Sequence, residues 1–283
     1  MILKIKRKES KVKLVLKDKA APYLSFPKLE QTGKVIHGFS TRLGGVSEKH
    51  LTSMNLSFSR GDKEENVREN FERIAAAIGF RTEDMVFTAQ THTTNIHVAT
   101  KADRGRGFTK ELGYQDIDGL VTNVKGVVLA TFYADCVPLY FVDPVKEAIG
   151  LSHSGWRGTV DKIGLRTIQT MVKEYGSNPK DILTAIGPSI CQDCYEVSED
   201  VIEVFREQFK AADYELLFYE KESGKYQLDL WKANELIFLE AGIKPQHINV
   251  TDICTCCNPR LLYSHRESKG QRGNLAAFLG LQE

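Results

Sequence analysis

The 283-residue sequence has no excess of either charge: 38 Lys and Arg stand against 37 Asp and Glu, a net of +1. A nucleic-acid-binding surface shows itself as a basic surplus, so none is demanded here. Long apolar runs are missing too. None approaches the roughly 20 residues that span a bilayer, and the amino terminus lacks the unbroken apolar segment of a secretory signal. A cytoplasmic protein is expected, with no nucleic-acid or membrane partner. No internal repeat, low-complexity tract or linker divides the chain, which favours one domain at this length. The six cysteines then read as thiols or metal ligands rather than a disulfide framework.

Among what is there, the basic first 18 residues carry Lys4, Lys6, Arg7, Lys8, Lys11, Lys13 and Lys17, alternating with Leu3, Ile5, Val12, Leu14 and Leu16. This fits an edge hairpin guarded by lysines. Pro22 to Gly33 reads as an irregular connector, so residues 1–34 form a hairpin-and-connector segment ahead of a unit from 35 to 283. Val35–Ser40, Met85–Gln90, Asn95–Ala99, Asp118–Thr122, Ile182–Ile186, Tyr226–Leu230 and Ile248–Val250 have strand character. Helical periodicity marks 66–79, 160–175, 201–209 and 231–241. The last segment, Leu262–Arg266 followed by Gln271–Asn274, mixes a strand with a basic loop.

The stretch Thr131 to Gly158, TFYADCVPLYFVDPVKEAIGLSHSGWRG, organises the rest. Two apolar runs separated by Asp143-Pro144 predict a β-hairpin. With a turn centred on Pro144 and Val145, Cys136 faces His153 directly. Opposed residues have Cβ atoms about 4.5–5.5 Å apart, so a thiolate and an imidazole could converge on one metal ion or on one another. Beyond His153, Ser154–Gly158 turns into a helix whose N-terminus, with Arg157, suits an anion.

His92 stands at another strand end. His92, Cys136 and His153 are all residue types that Zn²⁺ accepts, and three protein ligands leave the fourth position for water, as in catalytic zinc sites. Spacing alone leaves this open. A second group, Cys191-x-x-Cys194 with Cys254, Cys256 and Cys257, is expected to be buried inert thiols, with a structural zinc as the alternative.

Several blocks occur in order: Phe39-Ser40-Thr41-Arg42 with Gly44-Gly45-Val46-Ser47 and Asn55-Leu56, Gln90-Thr91-His92, Ala134-Asp135-Cys136-Val137-Pro138, and His153-Ser154-Gly155-Trp156-Arg157-Gly158. Gly187-Pro188-Ser189-Ile190, Tyr195-Glu196-Val197 and Tyr263-Ser264-His265-Arg266 complete the series. Together they resemble the multicopper polyphenol oxidase, or laccase-domain, family, now described as purine nucleoside phosphorylases. The resemblance runs from about Val35 to Phe278. It implies an α+β fold of mixed sheets packed together with helices outside, and His92, Cys136 and His153 as catalytic metal ligands. The implied activity is phosphorolysis of adenosine, inosine and methylthioadenosine to free base and a ribose 1-phosphate, with hydrolytic deamination of adenosine. Small-molecule nucleosides and phosphate are then the partners, of a monomer.

Three departures stand out. Ser154 replaces the family's usual Ala, Thr93 replaces a Gly after His92, and Gln271-Arg272-Gly273 replaces Thr-Gly-Arg. A true multicopper oxidase needs many imidazoles, often in His-x-His pairs; this chain has seven His and no such pair. Copper can nonetheless occupy a His₂Cys site. Phosphorolysis needs a bound phosphate, for which Arg42, Arg157 and Arg266 are the candidates, with Asn55 as a further substrate-binding residue. Two rivals remain. One is a cysteine hydrolase using Cys136 with His153 as base, oriented by Asp135 or Asp229. The other is a non-enzymatic zinc-stabilised module.

Overall fold

A computed structural model describes residues 4, 13–15 and 20–282. The chain is one α+β domain in which two six-stranded mixed sheets pack face to face. The first sheet runs Lys13–Val15, Tyr23–Ser25, Val35–Ser40, Leu275–Leu281, Val128–Tyr133, Met85–Phe87; the second runs Ile248–Val250, Leu183–Ile186, Val137–Asp143, Ala148–Ser154, Gly119–Thr122, Ile96–Val98. Side chains alternate between the two faces of each strand. Leu129, Tyr133, Leu275 and Leu279 of the first sheet therefore meet Tyr140, Val142, Ile149 and Leu151 of the second in a core between them. The intervening residues point outward. Val128, Ala130 and Phe278 pack beneath the Glu64–Ile78 helix through its Val67, Phe71 and Ile74. Val137, Leu139 and Phe141 pack under the Ile163–Tyr175 and Leu230–Glu240 helices. Covering on both faces explains why the central strands read as continuous apolar runs rather than alternating ones.

Several expectations need correction. Tyr23–Ser25 and Pro27–Glu30 are a strand and a short helix, not irregular connector. Tyr23–Ser25 is buried and hydrogen-bonds both to Val35–Ser40 and to the edge strand Lys13–Val15. Most of the lysine-guarded hairpin expected in the first 18 residues lies outside the described residues. The helix expected over 160–175 is two, Trp156–Val160 and Ile163–Tyr175, broken where Lys162 takes a left-handed φ of 58°. Leu262–Arg266 is not a strand. Its backbone is engaged locally and by side chains: Arg266 N donates to Asp135 at 2.7 Å and Ser268 N to Ser264 O at 3.2 Å. The strand at this end is instead Leu275–Leu281, fully buried between two neighbours.

The central hairpin forms, with its register displaced by two residues. Pro138, not Cys136, pairs with His153, and Val137 pairs with Ser154. The turn is longer than a two-residue one: Asp143 Oδ1 accepts from Val145 N at 2.9 Å and Lys146 N at 3.0 Å, and Glu147 closes it with a φ of 48°. A two-residue displacement keeps Cys136 and His153 on the same face as diagonal neighbours, whereas a one-residue slip would have put them on opposite faces.

Candidate metal centre

Asp118 is the hub. It immediately precedes the Gly119–Thr122 strand, which pairs antiparallel to the strand carrying His153, and His153 N donates to Asp118 O at 2.8 Å. Its carboxylate is fully buried and faces the tight loop that carries His92. Thr91 N (3.0 Å), Thr93 N (2.8 Å) and Thr93 Oγ1 (3.0 Å) donate to Oδ2; His92 N (3.1 Å) donates to Oδ1. His153 Nδ1 lies 2.8 Å from Oδ1. Burial raises the Asp118 carboxyl's pKa, but the hydrogen bond and charge of His153 with these N–H donors outweigh it, and the net shift is downward. One carboxylate thus seats both histidines. It engages His153 through Nδ1 and so leaves Nε2 as the nitrogen turned towards the other ligands, available to a metal once its proton is lost, the carboxylate–histidine arrangement that orients metal ligands.

Thr93, which departs from the family's Gly, supplies two of those contacts. Ser154 is likewise satisfied, its hydroxyl 2.8 Å from Thr159 Oγ1 and 3.2 Å from Asn234 Oδ1.

Cys136 enters from the start of its strand. Asp135, just before it, has a φ of 89°, and His92 has one of 68°; such backbones cost about 1–3 kcal/mol each and persist where the surroundings impose them. Asp135 is held by Thr255 Oγ1 (2.6 Å) and Arg266 N (2.7 Å) on its carboxylate and by Ile190 N (3.0 Å) on its carbonyl. It does not orient His153, and Asp229 caps the Leu230–Glu240 helix by accepting from Lys232 N. The orienting carboxylate of the hydrolase reading is therefore neither of the two expected. It is Asp118, whose only signal in the sequence was an Asp-Gly at a strand start.

The donor atoms of His92, Cys136 and His153 all lie within 4.8 Å of one another. Cys136 Sγ is 3.9 Å from His92 Nε2, and the two imidazole centroids are 4.9 Å apart. Ligands at zinc bond lengths stand about 3.3–3.8 Å apart in a tetrahedron, so a small contraction suits the ion. Gly155 is required by this closeness: a Cβ there would sit 2.7 Å from His92 Cδ2 and 3.3 Å from Cys136 Sγ. Burial pushes the Cys136 thiol up, but the charge and hydrogen bond of His153, with His92, override it and bring the thiol to about 6. Burial likewise pulls His153 down, and Cys136 and Asp118 push it back up to about 9.

In metal-free protein, then, Cys136 is expected to be largely thiolate at pH 7. Its alkylation by iodoacetamide should rise as pH climbs through about 6 and level off above, whereas an ordinary thiol continues to gain reactivity towards 9. Mass spectrometry of the labelled peptide checks this, and added zinc should protect the residue. A rate still rising between pH 7 and 9 would contradict the thiolate assignment.

The three side chains open onto a cavity of about 610 Å³ with Phe58, Phe87 and Phe132 among its walls and Arg60, Arg272 and Lys110 as its cations. Arg272 is half-buried. Its Nη1 donates to Asn274 Oδ1, but its Nε is buried without a hydrogen-bond partner. Burial and the like charge of Arg60 pull the Arg272 guanidinium down to about 10. The arginines expected to bind phosphate do not line this cavity. Arg42 donates to Thr52 O (2.9 Å) and Pro259 O (2.8 Å), Arg157 is exposed and stacked on Trp156, and Arg266 donates to Glu196 O (2.9 Å). Asn55 is buried, bonded to Asp62 Oδ2 at 3.0 Å and accepting from Asn274 N at 3.0 Å. Arg60 and Arg272 line the cavity instead, converging from distant loops; the sequence marks Arg272 only by its departure from the family's Thr-Gly-Arg, and nothing local marks Arg60.

Fold and site together define an α+β protein, built on two packed six-stranded sheets and a smaller three-stranded one, with a His₂Cys cluster beside an arginine-bearing cavity. The family model described as multi-copper polyphenol oxidoreductase laccase matches residues 36–282, and the chain belongs to that family. It is 40% identical over 251 residues to the purine nucleoside phosphorylase YlmD of Bacillus subtilis, covering 88% of this chain and 90% of that one. To the human purine nucleoside phosphorylase LACC1 it is 33% identical over 255 residues, covering 88% of this chain and 56% of the relative. The crystal structure of YlmD from Geobacillus stearothermophilus superposes with a TM-score of 0.87 at 34% identity, over 95% of this chain and 99% of that one. Among the described residues, no helix is long and apolar enough to cross a membrane.

Proposed function

We propose that this chain is a zinc-dependent purine nucleoside enzyme. It would cleave adenosine, inosine and methylthioadenosine with phosphate to free base and ribose 1-phosphate or its methylthio analogue, and deaminate adenosine with water, as a cytoplasmic monomer. The observation that carries the reading is a His₂Cys donor set and two guanidinium groups on one cavity of nucleoside size; the names of the relatives point the same way. Held by His92, Cys136 and His153, zinc would supply a Lewis acid and acidify water near neutral pH; copper suits the same donors.

The remaining work falls to the protein. Asp118 fixes the His153 ring through Nδ1 with Nε2 towards the other two ligands, and Phe87 and Phe132 line the cavity as apolar walls for a purine. Gln90 is not free to read the base, since its amide bonds Phe132 O at 2.7 Å and Phe132 N at 2.6 Å. Arg272, with its unpartnered Nε, and Arg60 suit phosphate. In phosphorolysis an oxygen of hydrogen phosphate would bond to C1′ as the C1′–N bond to the base breaks, the base leaving with the proton that the phosphate brought, and the two guanidinium groups would hold that phosphate.

Adenosine incubated with and without phosphate and resolved by chromatography tests the reading. Inosine should form without phosphate, and free base only with it. Arg272→Ala should raise the KM for phosphate about tenfold, equivalent to about 1.4 kcal/mol, and lower the ratio of phosphorolysis to deamination. An unmoved phosphate KM would remove Arg272 from the site. Light scattering checks the monomer.

A second reading rests on Asp118, His153 and Cys136 standing in relay order with a low-pKa thiol, as in a cysteine hydrolase. Elemental analysis separates the two, because a coordinated thiolate cannot attack. Metal-free protein with full turnover would favour the hydrolase.

A further inference from the structure

We propose that Cys191, Cys194, Cys254 and Cys257 form a second metal site, holding one structural Zn²⁺ through four thiolates. Their sulfurs come from two loops 60 residues apart in sequence, and all lie within 4.8 Å of one another. Cys194 Sγ is 3.5 Å and Cys191 Sγ 4.0 Å from Cys257 Sγ. A tetrahedron with Zn–S bonds of about 2.3 Å has edges of about 3.8 Å, so these separations match a tetrathiolate. They are far too long for a disulfide, whose S–S bond is about 2.05 Å; all four cysteines are free thiols.

The backbone is arranged for sulfur anions. Cys191 N and Cys257 N both point at Cys254 Sγ, at 3.3 and 3.4 Å, on a residue with no solvent exposure. Two N–H donors converging on one buried sulfur suit a thiolate better than a thiol, and such donors also orient metal ligands. Arg266 braces the first of these loops, its guanidinium donating to Cys194 O and Glu196 O. Cys256, the remaining cysteine of the run, is not one of the four. Binding would release the thiol protons to solvent and change no oxidation state.

The position gives the ion a task. Ser189 and Cys254 are bridged in parallel, with Ser189 N donating to Ile253 O at 3.2 Å and Thr255 N to Ser189 O at 3.1 Å. These are the loops that grip Asp135 through Ile190 N and Thr255 Oγ1. Clamping them together would fix the left-handed residue that aims Cys136 at the first centre.

Elemental analysis of the full chain, purified without chelators, tests this independently of any turnover. The wild type should carry about two zinc ions per chain, and His92→Ala and Cys257→Ser about one each, the ion retained by His92→Ala being the tetrathiolate one. Loading His92→Ala with Co²⁺ should give the thiolate-to-cobalt charge-transfer absorption of a sulfur-rich tetrahedral site, which keeps the test valid if Cys257→Ser does not fold. In the same variant these four thiols should resist a thiol reagent until a chelator is added. A folded His92→Ala that holds no metal and exposes all four thiols at once would overturn the proposal. So would thiols that become countable only after reduction, because the sulfurs would then be disulfides.

Discussion

Asp118→Asn should cost this protein both its first metal centre and much of its local order. Oδ2 receives three donors and Oδ1 two. Whichever oxygen becomes an amide NH₂ therefore meets N–H or O–H groups donor to donor. Loss of a partner that orients a ligating histidine costs about 10–100-fold in metal affinity, and leaving buried donors unsatisfied costs about 1–3 kcal/mol of stability. Because one carboxylate positions both His92 and His153, the upper end of each range is expected. Competition titration with a chromophoric chelator measures the first effect and thermal unfolding the second. Metal affinity within a factor of two of the wild type would show that the imidazoles are held by packing alone. Asp118→Ala should be worse, leaving those donors facing a void.

His92→Ala should separate function from fold. The side chain is exposed at the cavity, and its near neighbours are Cys136 and the His153 ring. Its removal takes little packing with it. The metal should be lost from the first centre, and deamination and phosphorolysis should fall by about 10³-fold or more, the several kcal/mol that a Lewis acid contributes to a transition state. The melting temperature should move little. His92 has a positive φ, a cost that histidine already bears and alanine would share; asparagine tolerates that backbone best, so His92→Asn removes the imidazole with the least strain. Both variants inactive and folded would support the metal reading. Turnover retained in His92→Asn with no bound metal would sink it and move the chemistry to Cys136 with its Asp118-oriented imidazole.

The two expected losses differ in kind because the residues sit at different depths. His92 acts at the surface of the cavity and is replaceable without disturbing the sheets. Asp118 is a buried junction where the loop of residues 91–93, the Gly119–Thr122 strand and the Ala148–Ser154 strand meet, so its chemistry and its structural role cannot be varied separately.

What the sequence determined by itself was local. Apolar runs around 128–142 and 148–154 demanded buried strands, the 67, 71, 74 and 78 periodicity demanded a helix, and the Ala-Asp-Cys-Val-Pro and His-Ser-Gly-Trp-Arg-Gly blocks carried the family. Each depends on residues close together in the chain, where side-chain period and turn chemistry act directly. What only the tertiary structure decided depends on chain segments far apart. The hairpin register turned on where the Asp143 carboxylate capped a turn, which apolar pattern alone cannot weigh against a two-residue shift that keeps every side chain on its face. Asp118 became the hub only when strand pairing set it beside His153 and the 91–93 loop folded its N–H groups around it. Arg42, Arg157 and Arg266 looked as suitable for phosphate as any arginine. Their guanidinium groups went instead to carbonyls or to Trp156, while Arg60 and Arg272 reached the cavity. The four clustered sulfurs are the same case: C-x-x-C and C-x-C-C were visible, but whether they meet depends on two loops being brought side by side by a sheet to which neither belongs.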